Sequence, residues 1–158
     1  MRCLALAALL LMAGLSPTTL RAQDVRVNEA TVQSCFAYAG PGEVAPACLG
    51  AASNACQQTN ASTLGISLCI QAETAVWDSL LNREYQARQS QFSAQDPAGG
   101  IGNALRDAQR AWIVYRDAEC GLAYARWQDG SMRVIVAANC LMTMTAQRAI
   151  ELRDMKGN

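Results

Sequence analysis

The chain contains no histidine. That absence removes Ser-His-Asp and Cys-His catalysis, metalloprotease helices and most zinc or copper centres, since each needs an imidazole as base or ligand. A phosphate-binding loop, a dinucleotide fingerprint and a Gly-x-Ser-x-Gly elbow are missing too. No Cys-x-x-Cys knuckle is present to hold zinc. Neither sign of charge is in excess, with 13 basic and 13 acidic side chains, so nothing points to nucleic acid or to an anionic membrane surface. No segment of useful length alternates apolar and polar residues as a half-buried strand would. No metal and no cofactor is expected.

What is present begins with an export signal. Met1-Arg2 supplies a short positive region, and Cys3 to Leu15 is a continuous apolar run. Leu20-Arg21-Ala22 then offers a small residue for cleavage, so residues 1–22 read as a signal peptide and Gln23 as the mature start. The apolar run is too short for a permanent membrane span. Cys3 stands at its very start, where lipoprotein-type cleavage could not leave a cysteine as the new first residue. The expectation is a periplasmic or secreted protein without a membrane anchor. The mature length, about 136 residues, suits one domain with a real core. Loss of Arg2 and Arg21 leaves a slight acidic balance, which would tolerate a basic partner without specifying one.

Six cysteines remain after cleavage: Cys35, Cys48, Cys56, Cys69, Cys120 and Cys140. An even number in an exported chain predicts a disulfide framework, with fifteen possible full pairings.

Periodicity predicts helices. Ile66, Cys69, Ile70, Val76, Trp77, Leu80, Leu81 and Tyr85 recur at three- and four-residue steps, giving a helix from Ile66 to Phe92. Asp96-Pro97 and Gly99-Gly100 break it, with Asp96 a candidate cap for the second helix. That helix is expected from about Ile101 to Trp127, packed on Leu105, Ala108, Trp112, Tyr115 and Leu122. Asp129-Gly130 makes a turn, Ser131 is the candidate N-cap, and a third helix runs to about Arg153. Residues 23–62 hold few large apolar side chains, so disulfides are expected to hold two short helices, Val25 to Ala39 and Ala45 to Gln57, onto the bundle. The fold class is all-α: an antiparallel bundle of three long helices over 63–156, with a disulfide-braced extension of the same domain at 23–62. In the hairpin of the last two helices Cys120 and Cys140 come level, but Cys69 is nearly level with Cys120 as well, so level alone leaves the pairing open.

The chemistry-bearing residues are mostly polar groups on helices. Asp78, Asn82 and Tyr85 share a face of the first long helix, and Gln109, Trp112, Arg116 and Cys120 share one on the second. Packed together they predict a polar network in which Arg116 or Arg110 bridges Asp78 or Asp117, an element that specifies the fold more than it stabilises it. The alternative is a shallow groove that receives a partner or a peptide. Asp78, Glu84, Asp107, Asp117 and Glu119 are the remaining route to acid/base catalysis of glycoside hydrolysis, against the plainer reading of ion pairs with nearby arginines. Trp77 and Trp112 have core spacing and are expected to be buried, whereas Trp127 lies nearer a loop, where packing under the turn is expected ahead of exposure to a sugar or a partner. Cys140, Met142 and Met144 resemble soft copper ligands only in composition, because positions two apart on a helix diverge.

Three stretches carry a family resemblance: Trp77-Asp78-Ser79-Leu80-Leu81-Asn82-Arg83-Glu84-Tyr85; Ala108 to Cys120, which includes Gln109, Arg110, Trp112, Tyr115, Arg116 and Asp117; and Gly130-Ser131-Met132 followed by Cys140, Thr145 and Arg148. Over roughly residues 56–153 the chain resembles the LprI-type lysozyme-inhibitor family of small secreted bacterial domains. The resemblance implies a local disulfide between Cys56 and Cys69, with Cys120–Cys140 and Cys35–Cys48 as the remaining couples. Cys35 and Cys48 lie beyond the family's common four-cysteine pattern, and Met142-Thr143-Met144-Thr145 replaces its usual Leu-Thr element.

The resemblance also implies a function: an envelope binding protein, not an enzyme, that inhibits lysozyme stoichiometrically. A rigid, disulfide-braced domain can offer a preformed loop to a sugar-binding cleft at small ordering cost. The candidate loops are Gln95 to Gly100 and Gln128 to Met132. The second is flanked by Arg126, Trp127 and Arg133 and contains Asp129, Gly130 and Ser131, so it offers an aromatic for a subsite and cations for catalytic carboxylates. The alternatives are an interaction module of another periplasmic assembly and, more distantly, a carboxylate-dependent wall-active enzyme.

Overall fold

The computed structural model describes residues 25–155, and the expected signal peptide and its cleavage point lie outside them. Five helices succeed one another: α1 (Glu29–Tyr38), α2 (Ala51–Gln57), α3 (Thr63–Gln95), α4 (Gly100–Ala125) and α5 (Arg133–Asp154), with no strand among the described residues. The described residues are all-α, 76% of them helical.

Helix α3 is the spine, 33 residues and therefore roughly 50 Å long. It starts where the Ser62 hydroxyl accepts the Gly65 amide at 3.0 Å. Gly65 is required there, because a Cβ would lie 2.6 Å from the Asn60 carbonyl oxygen. Short connections at 96–99 and 126–132 return the chain twice, so α4 runs antiparallel to both α3 and α5. Asp96 caps α4 from outside the helix, its carboxylate accepting the Ile101 amide at 3.0 Å. Gly99, in the left-handed conformation at φ 82°, makes the bend that allows it.

The core is the seam between α3 and α5. Ile70, Trp77, Leu80 and Leu81 meet Ala138, Met142, Ala146, Ala149, Ile150 and Leu152, all buried. The extension closes one side of this seam. α1 and α2 are shorter than the sequence predicts, and their apolar residues contribute more: Val32, Phe36 and Ala52 are all buried, with Phe36 edge-on to Trp77 at 6.2 Å between ring centres. Arg83 and Arg153 flank the Phe36 ring at 5.3 and 5.2 Å. Arg153 also donates to the Phe36 carbonyl, and Asp154 accepts the Gly42 amide at 2.8 Å.

A buried carboxylate completes the attachment. Glu73, 1% exposed, accepts the backbone N–H groups of Gly50 at 2.9 Å and Ser53 at 2.7 Å, and the Trp77 indole N–H at 3.2 Å. It caps α2 from a different helix, since α2 has no side-chain cap of its own. Disulfides join Cys35 to Cys48, Cys56 to Cys69 and Cys120 to Cys140, the couples implied by the resemblance.

Candidate functional site

Helix α4 meets the bundle along a narrow stripe. Gly102, Leu105, Gln109 and Cys120 are buried, and Trp112 and Arg116 are half-buried between them. The expected contact set of Leu105, Ala108, Trp112, Tyr115 and Leu122 is therefore wrong at three positions, because Ala108, Tyr115 and Leu122 face outward. The physical reason is a polar partner on α5. Arg148, buried, donates through Nε to Gln109 Oε1 at 2.9 Å and through NH1 to Glu151 at 3.1 Å. Its guanidinium lies 5.9 Å from the Trp112 ring centre, and that of Arg116 lies 5.1 Å from it. Gln109 and Trp112 face inward because Arg148 is there to receive them. Trp112 is half-buried as a platform for two cations, whereas Trp77 is fully buried as expected.

Of the predicted pairings, the one between Arg116 and Asp117 is present, within α4. Arg116 donates from Nε and NH2 to Asp117 of its own helix, at 2.9 and 2.8 Å, and no hydrogen bond joins it to Asp78. Arg110 is exposed and does not take part in the stripe. Asp78 accepts from Asn82 at 2.9 Å on the exposed side of α3, and the Tyr85 hydroxyl accepts from Gln89 at 3.1 Å. The network thus splits in two: Gln109, Trp112, Arg116 and Arg148 gather around one indole, while Asp78, Asn82 and Tyr85 form short-range pairs along α3. The other carboxylates considered for catalysis are mostly held by neighbours, Glu84 by Arg83 at 2.8 Å and Asp107 by Arg106 at 3.6 Å.

The turn between α4 and α5 is the more exposed arrangement. α4 ends at Ala125, and Arg126 is its exposed C-cap, with its amide bonded to the Leu122 carbonyl at 3.0 Å. Trp127 is 47% exposed, and Leu122, Tyr124 and Met132, close to it in the chain, are exposed too. Arg133 ties the loop backbone to the start of α5. Arg133 donates to the Gln128 carbonyl at 2.8 Å, lies 3.6 Å from Asp129 and stacks on Tyr124 at 5.1 Å. The Gly130 amide reaches the Trp127 carbonyl at 2.8 Å, and the Gly130 carbonyl accepts the Arg133 amide. Gln128 sits at φ 45°, a left-handed geometry that a non-glycine residue keeps only when its surroundings enforce it. Ser131 is not the N-cap of α5. Met132 occupies that position in right-handed geometry without a side-chain cap, because the Gly130 carbonyl already takes the first free amide of the helix.

The Cys120–Cys140 disulfide ties the two legs of this hairpin below the turn, and the Met144 sulfur lies 3.7 Å from Cys120 Sγ and 3.9 Å from Cys140 Sγ. The loop at Gln95 to Gly100 offers a poorer surface. It is built around Asp96 as a helix cap and contains no aromatic side chain.

Sequence reasoning missed Glu73 and Arg88, and it named Glu84 without foreseeing that this side chain is buried. The signal was available: all three fall on the apolar stripe of α3, in step with Ile70, Trp77 and Leu81. A charge at a core position needs a built-in partner.

Comparison with known proteins adds three findings. The family model described as lysozyme inhibitor LprI matches residues 53–152. An uncharacterized protein of Rhizobium meliloti (strain 1021) is 33% identical over 102 residues, covering 60% of this chain and 73% of that protein. No solved structure matches the chain significantly.

Proposed function

The chain belongs to the lysozyme inhibitor LprI family, and on that premise we propose that it is an exported binding domain that blocks a lysozyme through its α4–α5 turn. The observation that carries this reading is the half-exposed Trp127 on a loop fixed by Arg133 and by Cys120–Cys140 between its legs. A loop already ordered loses little conformational freedom on binding. Trp127 then fills an apolar sugar subsite, while Arg126 lies beside it to meet the acidic groups of a glycosidase cleft. Arg133 has a different role from the one its position in sequence suggests: it supports the loop.

The three disulfides suit an oxidising compartment, and no helix among the described residues is long and apolar enough to cross a membrane. Both agree with action in the periplasm or outside the cell. A second reading, docking to another envelope protein, is favoured by the outward face of α4, where Val114 is 71% and Tyr115 59% exposed.

The two readings separate in a cell-wall clearing assay. Oxidised protein is titrated into goose-type, chicken-type and invertebrate-type lysozymes. Saturable inhibition near one-to-one stoichiometry, lost on reduction, supports the inhibitor reading. No effect on any class at large molar excess moves the function to the α4 face.

A further inference from the structure

A second site lies away from the turn, where α3, α4 and α5 meet. Gln71, Thr74, Ala75 and Asp78 from α3, Arg116 from α4, and Ala138, Leu141 and Thr145 from α5 line a cleft of about 310 Å³. Its wall is apolar at Ala75, Ala138 and Leu141, and two opposite charges face it from different helices. Neither charge is fully used. Asp78 accepts from Asn82 through Oδ2 only, and Arg116 gives Nε and NH2 to a single oxygen of Asp117, which leaves its NH1 edge free. An independent feature marks the inner wall: the Thr145 hydroxyl, on a residue 1% exposed, has no hydrogen-bond partner. Burial of a hydroxyl without a protein partner carries a desolvation cost that a polar group of a ligand would offset.

We propose that this cleft binds a small aliphatic α-amino acid in its zwitterionic form. The carboxylate pairs with Arg116, the ammonium with Asp78, and the short side chain lies against Ala75, Ala138 and Leu141. The charge pattern selects this class. A simple anion would meet Asp78, a simple cation would meet Arg116, and a sugar ring finds no aromatic face among the lining residues. The volume is at the lower end for ligand sites, which limits the occupant to a small molecule. Arg116 precedes the α4–α5 turn by ten residues, roughly 15 Å along the helix, so the site and the proposed inhibitory loop are separate surfaces.

The test is nuclear magnetic resonance titration of the oxidised protein with L-alanine, with N-acetylalanine and alaninamide as single-charge probes. Saturable shifts centred on the lining residues are expected with alanine. Each blocked analogue should bind about tenfold or more weakly, since each loses one charge-assisted hydrogen bond. Asp78→Asn and Arg116→Gln should each weaken alanine by a similar factor with unchanged far-ultraviolet circular dichroism. Ala75→Leu, at an exposed rim position, should occlude the cleft. The proposal is overturned if alanine gives no saturable shifts, if the blocked analogues bind as well as alanine, or if either charge variant binds like the parent. Parallel lysozyme titration of the same variants should show unchanged inhibition, so failure of this site and failure of the inhibitor reading are distinguishable.

Discussion

Helices α4 and α5 are the two legs of one hairpin, yet they are held by different physics. α5 buries Ala138, Met142, Thr145, Ala146, Arg148, Ala149, Ile150 and Leu152, and so is fixed mainly by apolar area. α4, though longer, buries only Gly102, Leu105, Gln109 and Cys120. Its attachment rests on a disulfide, an amide–guanidinium hydrogen bond and an indole between two arginines. A helix held this way can leave most of its surface for partners, and both candidate sites involve it: the turn at its end and the cleft beneath Arg116.

The contrast is widest at the core seam. Trp77→Ala should cost about 3–5 kcal/mol, through a large cavity and the loss of one Glu73 partner, whereas Ile113→Ala on the outer face of α4 should fall within about 0.5 kcal/mol of the parent. Denaturant unfolding of both variants reads the difference. Replacing Cys120 and Cys140 with alanine should cost about 2–4 kcal/mol. Hydrogen exchange should then show α4 opening while the α3–α5 seam stays protected; equal acceleration in all three helices would contradict the division. Glu73→Ala leaves two amides of α2 and an indole N–H without their acceptor, so a loss of about 1–3 kcal/mol is expected, with exchange accelerated first around α2. The mildest change belongs to Thr145→Val, which removes a costly buried hydroxyl that has no partner and should raise stability by about 1 kcal/mol.

How far the sequence revealed these differences depends on what it encodes locally. The spacing of Ile66, Ile70, Trp77 and Leu81 marks α3, and Pro97, Gly99 and Asp129-Gly130 mark the two reversals, because helix period and turn chemistry are local properties. The contact face of α4 was not legible. Leu105, Ala108, Trp112, Tyr115 and Leu122 form a plausible apolar row, but Arg148, 39 residues beyond Gln109, turns the helix by offering that side chain a partner. Such a choice depends on tertiary contact. Ser131 failed as a cap for a related reason, since a backbone carbonyl in the turn had already satisfied the amide. The candidate loop itself was legible from Trp127 beside Asp129-Gly130. The support from Arg133 was not, because the same arginine reads equally well as a free surface cation.

The inhibitory role assigned to the braced α4–α5 turn stands or falls on lysozyme inhibition by Trp127→Ala, assayed beside the parent. The side chain is half-exposed, so thermal stability should change little, while inhibitory affinity should fall about tenfold or more if Trp127 anchors the complex. Undiminished inhibition by a stably folded Trp127→Ala protein would refute that role and place the inhibitory surface elsewhere on the molecule.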